Sequence, residues 1–425
     1  MKKLLMLGTS YMSCEMVRYA KSIGVYTIVT DPKEPQESIA KLVSDEYWMI
    51  NVGEVDLLEA KCREEGVTAI ICGISEFCLE VCMELCKRLG LPCYCTPEAW
   101  HFSRDKVDFK KICHEVGAPV AEDYYISEAE TDEEIDNVKL PVVVKPIDLS
   151  ANRGISYCHT REELVKGIKL ARSMSKSKKL VVERMLEGEE WYSSYAFSNG
   201  VPRFLALNGM YAQPGEPKFC YTITSTVSNH VEQYIKEINP YILKVLEKVG
   251  CKEGYAWVQV MLDKDGHFYI LEMGYRLDGD MMFIPYRDML GYDTVKELVD
   301  MACGKKSSIE DLPKNQEHAF NRCGTGLILW TNKGGVLKEI RGMEELSKLP
   351  GLYVETLERV GDVLTPYSIV GNVCFTTDTI EEMCELIEKV NKTVQFINDS
   401  GEDVIIKYTD FDYLKKVYYE GLEGK

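Results

Sequence analysis

The stretch VVVKPIDLSANRGIS, from Val142 to Ser156, holds the residues of this chain best suited to phosphate chemistry. Val142, Val143 and Val144 form a β-branched run that suits a strand buried on both faces. Pro141 and Pro146 bracket that strand, and Lys145 stands near its end. Asp148 to Gly154 then makes a loop of small and polar residues that includes Ser150, Asn152 and Arg153. Such a loop can turn backbone N–H groups and a guanidinium towards phosphate. A lysine fixed beside it has the makings of a nucleoside triphosphate site. An ordinary hairpin with an exposed lysine has the same pattern, so the decision rests on residues farther away.

Four other places carry candidate chemistry. Glu272 falls on a predicted strand, His267 to Met273, of a hairpin whose turn is Asp263 to Gly266, with Asp-Gly as the turn signal. A carboxylate among apolar neighbours is costly unless it is paired or metal-bound. Mg²⁺ on Glu272, with Arg276 on a transferring phosphoryl group, would meet that need. A buried Glu272–Arg276 ion pair is the alternative. The predicted strand Leu180 to Glu183 runs into a connector, Arg184, Met185 and Leu186, and Gly188 turns into the next strand near Glu190. Apolar side chains and free backbone groups in such a connector suit an adenine ring. Glu190 could accept ribose hydroxyls, although Glu187, Glu189 and Glu190 also form an ordinary solvated charge run. Lys106 sits in the first turn of a predicted helix, SRDKVDFKKICHEVGAP. There it opposes the macrodipole, a conflict that a ligand phosphate would relieve; a solvated lysine is the commoner explanation. Cys78, Cys82 and Cys86, at helical spacing, form a small apolar core face rather than a metal site. Cys93 and Cys95 lack C-x-x-C spacing. No convincing Ser/His/Asp or Cys/His arrangement occurs.

A chain of 425 residues has room for two to three domains, and 45% hydrophobic residues mark it as globular. Fifty basic residues against 68 acidic ones, a net charge of −18, argue against nucleic acid as a partner. The start, MKKLLMLGTSYMS, is too poor in apolar residues for a signal peptide, and no apolar run approaches a bilayer span. Sixteen spread cysteines without a secretion signal point to reduced thiols in a cytoplasm.

The elements that must position these residues alternate at first. Strands are expected at Lys3 to Leu7, Val25 to Val29, Val67 to Cys72 and Leu91 to Cys95, with helices at Ser13 to Ile23, Asp56 to Glu65 and Phe77 to Leu89. That order makes βαβ units and a doubly wound parallel sheet. The first turn, GTSYMS, lacks G-x-G-x-x-G, which argues against a nicotinamide cofactor, and Asp31 is expected to serve only a turn. A strand near Tyr124 to Ile126, an acidic helix at Thr131 to Asn137 and an amphipathic helix at Arg161 to Met174 flank the central stretch. The tail from Ala319 mixes GTGLILW, a strand at Val336 to Ile340 and a helix at Thr379 to Asn398. It shows no catalytic constellation and is expected to cover the rest or to dimerise.

Lys106 in SRDKVDFKK, Lys145 in VVVKP, the loop ANRGI, VVERMLEGEE and LEMGYRLDGD occur in the order and spacing of the ATP-grasp superfamily, which this chain resembles over most of its length. RLDGD resembles the L-amino-acid ligase group. The tail is similar to the C-terminal lobe of the biotin-carboxylase and purine-synthesis branch, and the whole resembles carbamoyl-phosphate-synthase large-subunit-like proteins. The resemblance implies α/β and α+β architecture. A pre-ATP-grasp doubly wound sheet would span residues 1–96, a two-lobed ATP-grasp domain 97–310 with its lid at about 120–190, and a mixed α/β lobe 311–425.

It also implies an ATP-dependent carboxylate–amine ligase, ADP-forming, using Mg²⁺ or as a substitute Mn²⁺, with a small carboxylate and an amine as substrates and a homodimer as assembly. Lys106 and Lys145 would hold the phosphates, and Ser150, Asn152, Arg153 and Gly154 would cover them. Glu183 and the backbone of Arg184, Met185 and Leu186 would meet adenine, and Glu190 the ribose. Glu272 would bind the metal and Arg276 would stabilise the acyl phosphate. Two departures stand out. The lid carries only Gly154. The family's metal asparagine is Gly274, and its upstream metal carboxylate is replaced by Gln259 or Val260, according to one residue of turn length. A bicarbonate-using carboxylase component remains an alternative, although no Met-Lys-Met biotin-carrier segment occurs. So does a non-catalytic nucleotide-binding protein.

Overall fold

In the computed structural model, residues 1–147, 154–356 and 358–423 are described. The chain opens with a parallel sheet of β1 (Lys3–Leu7), β2 (Tyr26–Thr30), β3 (Glu46–Trp48) and β4 (Ala69–Cys72), in the order β3-β2-β1-β4. The helices Tyr11–Ser22, Val55–Glu65 and Glu76–Leu89 connect these strands. Ser10 and Ser75 cap two of them, each accepting a backbone N–H three residues on.

The sheet differs from expectation at both edges. The short edge strand β3 is too brief to show in the sequence pattern. Leu91 to Cys95, expected as a strand, has no regular structure: Pro92 lacks the N–H a ladder needs, and the segment instead packs Cys95 inward. Asp31, expected as a mere turn residue, is buried and paired with Lys41 at 3.1 Å.

The helix expected over SRDKVDFKKICHEVGAP is two helices, Pro97–Arg104 and Lys106–Glu115. Asp105 breaks them by adopting an extended conformation and capping Val107 and Asp108 through its carboxylate. Lys106 is therefore the first residue of the second helix.

A second sheet is antiparallel throughout. It holds β5 (Asp123–Tyr124), β6 (Val142–Pro146), β7 (Ser156–Cys158) and β8 (Leu180–Arg184), in the order β5-β8-β6-β7. The helix Arg161–Met174 packs on it, closing a small core of Val142, Val144, Leu164, Ile168, Ala171 and Val182. Thr160 and Glu163 form a capping box at its start.

The largest sheet has eight strands. It contains β9 (Gly188–Ser198), β10 (Val201–Ala212), β11 (Tyr221–Ser225), β12 (Gly254–Asp263), β13 (Phe268–Gly274), β14 (Cys323–Trp330), β16 (Tyr353–Glu355) and β18 (Ile369–Thr377), in the order β13-β12-β9-β10-β11-β14-β18-β16. The strands of the tail thus continue the sheet that carries Glu272. A small sheet of β15 (Gly335–Arg341), β17 (Val363–Leu364) and β19 (Gln395–Asn398) lies beyond it. The helix expected to reach Asn398 stops at Thr393, because the chain turns extended at Val394 and pairs Gln395–Asn398 with β15. Among the described residues no helix is long and apolar enough to cross a membrane. All sixteen cysteines are unpaired.

Candidate functional site

Three elements bring the candidate residues together: the helix Lys106–Glu115, the sheet carrying β6 and β8, and the β12–β13 hairpin. On β8, Glu183 stands opposite Asp123 of β5 and Val143 of β6. Lys145, two residues along β6, lies on the same face and pairs with Glu183 Oε1. Lys110 Nζ meets Glu183 Oε2 at 2.8 Å and also pairs with Asp123. Burial would raise the Glu183 pKa, but the two ammonium groups, Lys145 foremost, hold it down at about 2. Burial likewise works against the Lys145 ammonium. Glu183, with Glu272 behind it, nonetheless raises its pKa above the ordinary lysine value.

On the hairpin, Lys106 Nζ pairs with Glu272 Oε2 at 3.0 Å. Lys110, Glu183 and Lys145 thus form one ion-paired group and Glu272 with Lys106 a second, and the two groups meet electrostatically where Glu272 acts on Lys145. Glu272 lies directly opposite Gln259, and the register shifts just after Gln259, so that Val260 faces Ile270. The bulge puts Gln259, and not Val260, across from Glu272. Gln259 Nε2 donates to Glu190 Oε2 at 2.8 Å. Glu190 is raised above the usual carboxylate range, chiefly by burial and further by Glu272.

Arg276 lies elsewhere than the ion-pair alternative required. Its Nη2 meets Glu76 Oε1 at 3.3 Å, its Nη1 donates to Leu277 O at 2.9 Å, and its guanidinium lies 5.3 Å from the centre of the Trp257 ring. Glu272 takes Lys106 instead, so a Glu272–Arg276 pair is not the arrangement found. Arg276 Nε is buried without a hydrogen-bond partner among the described residues. Close by, Tyr255 Oη donates to Asp278 Oδ2 at 2.6 Å, and Thr224 Oγ1 to Asp280 Oδ2 at 2.9 Å. Burial and the neighbouring Asp278 push Asp280 up to about 7. Tyr221 is raised by burial and then by Asp280, Glu190, Glu272 and Asp278, which ties these carboxylates to one region.

The connector after β8 is partly engaged already. The N–H of Arg184 donates to Glu122 O at 2.8 Å and that of Met185 to Pro141 O at 3.0 Å. Leu186 N–H has no partner among the described residues. The Arg184 side chain turns away to Asp263 at 2.8 Å and lies 4.8 Å from the Tyr269 ring centre, clamping the connector to the hairpin. Gly154 has φ +76°, and a Cβ there would come within 3.0 Å of Pro146, so the loop's one glycine is required by its geometry. Ser150, Asn152 and Arg153 lie outside the described residues.

Three residues at the site escaped the sequence analysis. Lys110 had a signal, since it is one helical turn from Lys106. Glu76 and Trp257 had none. Glu76 is 200 residues from Arg276 along the chain. Trp257 stands opposite Gly274, and a Cβ on Gly274 would lie 2.3 Å from its indole. Trp257 thus fills the space beside Gly274, and its ring lies against the Arg276 guanidinium. The Glu272 carboxylate and the Gln259 amide oxygen, whose nitrogen is spent on Glu190, face each other across the hairpin as oxygen donors for Mg²⁺. One carboxylate with phosphates and water is a donor set this ion accepts, so the residues fit it.

Residues 138–283 match the ATP-grasp domain family, and the chain carries an ATP-grasp domain. Over 245 residues the sequence is 22% identical to a formate-dependent phosphoribosylglycinamide formyltransferase of Prochlorococcus marinus, an alignment covering 56% of this chain and 62% of that protein. The chain thus spans less than two thirds of that relative's length. The fold is similar to that of an L-amino acid ligase from Bacillus licheniformis, with a TM-score of 0.75 and 17% identity over 94% of this chain and 99% of that one. It is equally similar to the biotin carboxylase domain of the 2-oxoglutarate carboxylase of Hydrogenobacter thermophilus, with a TM-score of 0.76 and 17% identity over 98% and 94% of the two chains.

Proposed function

We propose that this protein is an ATP-dependent ligase that turns a small carboxylate into an acyl phosphate, releases ADP and passes the acyl group to an amine. The observation that carries this reading is the pair of neighbouring ion-paired groups, Lys110–Glu183–Lys145 and Glu272–Lys106. It presents ammonium groups, prepaired with carboxylates, beside a connector with a free Leu186 N–H. The ligases and formyltransferase that share the domain support the same class.

A carboxylate is a poor electrophile because its leaving group would be oxide. In the proposed reaction a carboxylate oxygen attacks the γ-phosphorus and ADP leaves. The amine nitrogen then attacks the acyl carbon, and phosphate departs with that carboxylate oxygen while the nitrogen loses its proton. Charge gathers on oxygen at each stage, and fixed cations offset it. Lys145 and Lys106 hold phosphate oxygens, exchanging part of their pairing with Glu183 and Glu272. Lys110 keeps Glu183 ionised and in place. Leu186 N–H meets the adenine edge, Glu190 the ribose hydroxyls, and Ser150, Asn152, Arg153 and Gly154 cover the phosphates. Arg276, braced by Glu76 and Trp257, faces the acyl phosphate. Glu272 and Gln259 would hold Mg²⁺, which when bound offsets phosphate charge.

Incubation with ATP, Mg²⁺ and pairs of amino acids and other small carboxylates and amines, with phosphate detection, tests this reading. Phosphate release that requires both a carboxylate and an amine is expected; release that requires bicarbonate instead would assign the carboxylase chemistry. Gln259 and Gly274 at two metal positions favour one second reading, a nucleotide-binding protein without turnover, in which ATP binds and no ADP forms with any pair.

A further inference from the structure

A second cluster lies on the far flank of the helix that begins at Glu76. The thiols of Cys82, Cys86 and Cys93 all lie within 4.8 Å of one another. Cys72, the last residue of β4, neighbours Cys82 but lies outside this mutually close set of three. Cys72, Cys82 and Cys86 are buried, and Cys93 is half-buried. The cluster comes from three parts of the chain. Cys82 and Cys86 are one turn apart on the helix Glu76–Leu89. Gly90 ends that helix with φ +68°, and Pro92 directs the chain back so that Cys93 returns to the helix face. Cys78, on the same helical stripe, lies outside the group beside Ser75 and Gly8. The grouping is therefore a product of the turn and not of the stripe.

We propose that Cys82, Cys86 and Cys93, with Cys72 as the fourth thiol, form a structural Zn²⁺ site. Tetrahedral zinc with bonds of about 2.3 Å to sulfur places its sulfurs about 3.8 Å apart. Cys82, Cys86 and Cys93 need to close by at most about 1 Å, a side-chain adjustment, and Cys72 has farther to move. On binding, each thiol gives its proton to solvent, a Zn–S bond forms and the aqua ligands of the ion leave. Cys82 then gives up its weak hydrogen bond to Ile70 O, 3.7 Å away. All four thiols are unpaired and three of them are buried, and thiolate is the soft ligand type that selects zinc over hard cations.

The site has a structural consequence that does not depend on the proposed reaction. It fastens Leu91 to Cys95, which has no sheet partner, to the helix and to β4. Tyr94, next to Cys93, packs edge-on against Tyr275 at 5.8 Å, and Tyr275 Oη meets Tyr94 O at 3.1 Å. Tyr275 precedes Arg276, and Glu76 at the start of the same helix meets Arg276. Zinc would brace the helix that carries Glu76 and, through Tyr94 and Tyr275, the residue before Arg276.

The test uses the full chain, purified without added metal, loaded with Zn²⁺ and dialysed, with metal content read by atomic emission. About one zinc per chain is expected. Co²⁺ in its place should give the sulfur-to-metal charge-transfer absorption of a thiolate site. Outer partners of a metal are already worth about 10–100-fold in affinity, so Cys93→Ser should weaken zinc at least that much in competition with a chromophoric chelator. Cys303→Ser, at a half-buried cysteine elsewhere, should not. If Cys93→Ser fails to fold, alkylation of the parent decides: Zn²⁺ should protect the half-buried Cys93 and leave the half-buried Cys303 reactive. Absence of zinc binding, zinc retained undiminished in Cys93→Ser, or no protection of Cys93 would each overturn the proposal.

Discussion

Gln259 stands directly opposite Glu272 across the β12–β13 ladder, and its amide nitrogen is held by Glu190 at 2.8 Å. A carboxylate at position 259 would add a charged metal ligand but would also face Glu190, itself raised by burial. Gln259→Glu should therefore lose about 1–3 kcal/mol of stability without ligand, from a broken hydrogen bond and like-charge repulsion. It should also reach half-maximal turnover at lower Mg²⁺ than the parent. Denaturant unfolding and a Mg²⁺ titration check the two effects; an unchanged Mg²⁺ requirement would remove Gln259 from the metal set.

Lys145→Ala removes an ammonium that its neighbours keep charged, while Lys110 continues to hold Glu183. The fold should persist and ATP binding should weaken by about 1–3 kcal/mol, the scale of a charge-assisted hydrogen bond. Calorimetry reads this directly. Equal affinity in parent and variant would take Lys145 out of the phosphate site.

Arg276→Ala should separate binding from chemistry. If the guanidinium acts on charge that develops during acyl transfer, kcat should fall on the order of a hundredfold, the scale of one lost oxyanion donor, with ATP affinity nearly unchanged. Glu76→Gln keeps a hydrogen-bond partner for Arg276 and should lose far less. Parental turnover in Arg276→Ala would leave only a structural role beside Trp257.

Much of this site was legible in the sequence because its parts are local patterns. The valine run before Lys145, the Asp-Gly hairpin below Glu272 and the helix Arg161–Met174 each announce themselves by period and turn residues, and the structure places them where expected. The ATP-grasp motifs supplied Lys106, which composition alone would have left as a solvated lysine. What escaped depends on tertiary contact. Glu76 reaches Arg276 from 200 residues away. Trp257 fills the space beside Gly274, so a missing asparagine looked like simple loss when an indole occupies that space. Asp105 as a cap and Pro92 as a sheet breaker were both visible as residue types, yet a continuous apolar pattern outweighed them. Cys93 was set aside for its spacing, and only the reversal at Gly90 brings it to Cys82 and Cys86.

Glu355, buried on β16, carries a pH signature outside the site. Burial pushes its carboxyl from the ordinary 4.5 up to about 8, and Oε2 has no partner among the described residues, while Oε1 accepts a long bond from Asn372. A carboxyl with a raised folded pKa binds its proton more tightly folded than unfolded. Its stabilising contribution is complete below 4.5 and is lost as pH rises towards 8. Glu355→Gln should match the parent in acid and become the more stable of the two above about 8, as read from unfolding curves across that range. A parent whose stability does not fall relative to the variant over this window would contradict the burial of an unpaired carboxyl.

The most direct test of the central claim follows the carboxylate oxygen. Once a substrate pair is found, the carboxylate is supplied with both oxygens heavy-isotope labelled, together with ATP, Mg²⁺ and the amine, and the released phosphate is analysed by mass spectrometry. An acyl phosphate requires one labelled oxygen to leave with each phosphate, in step with ADP, and Glu272→Gln should abolish both. Phosphate released without label, or labelled phosphate formed at the parental rate by Glu272→Gln, would contradict the account.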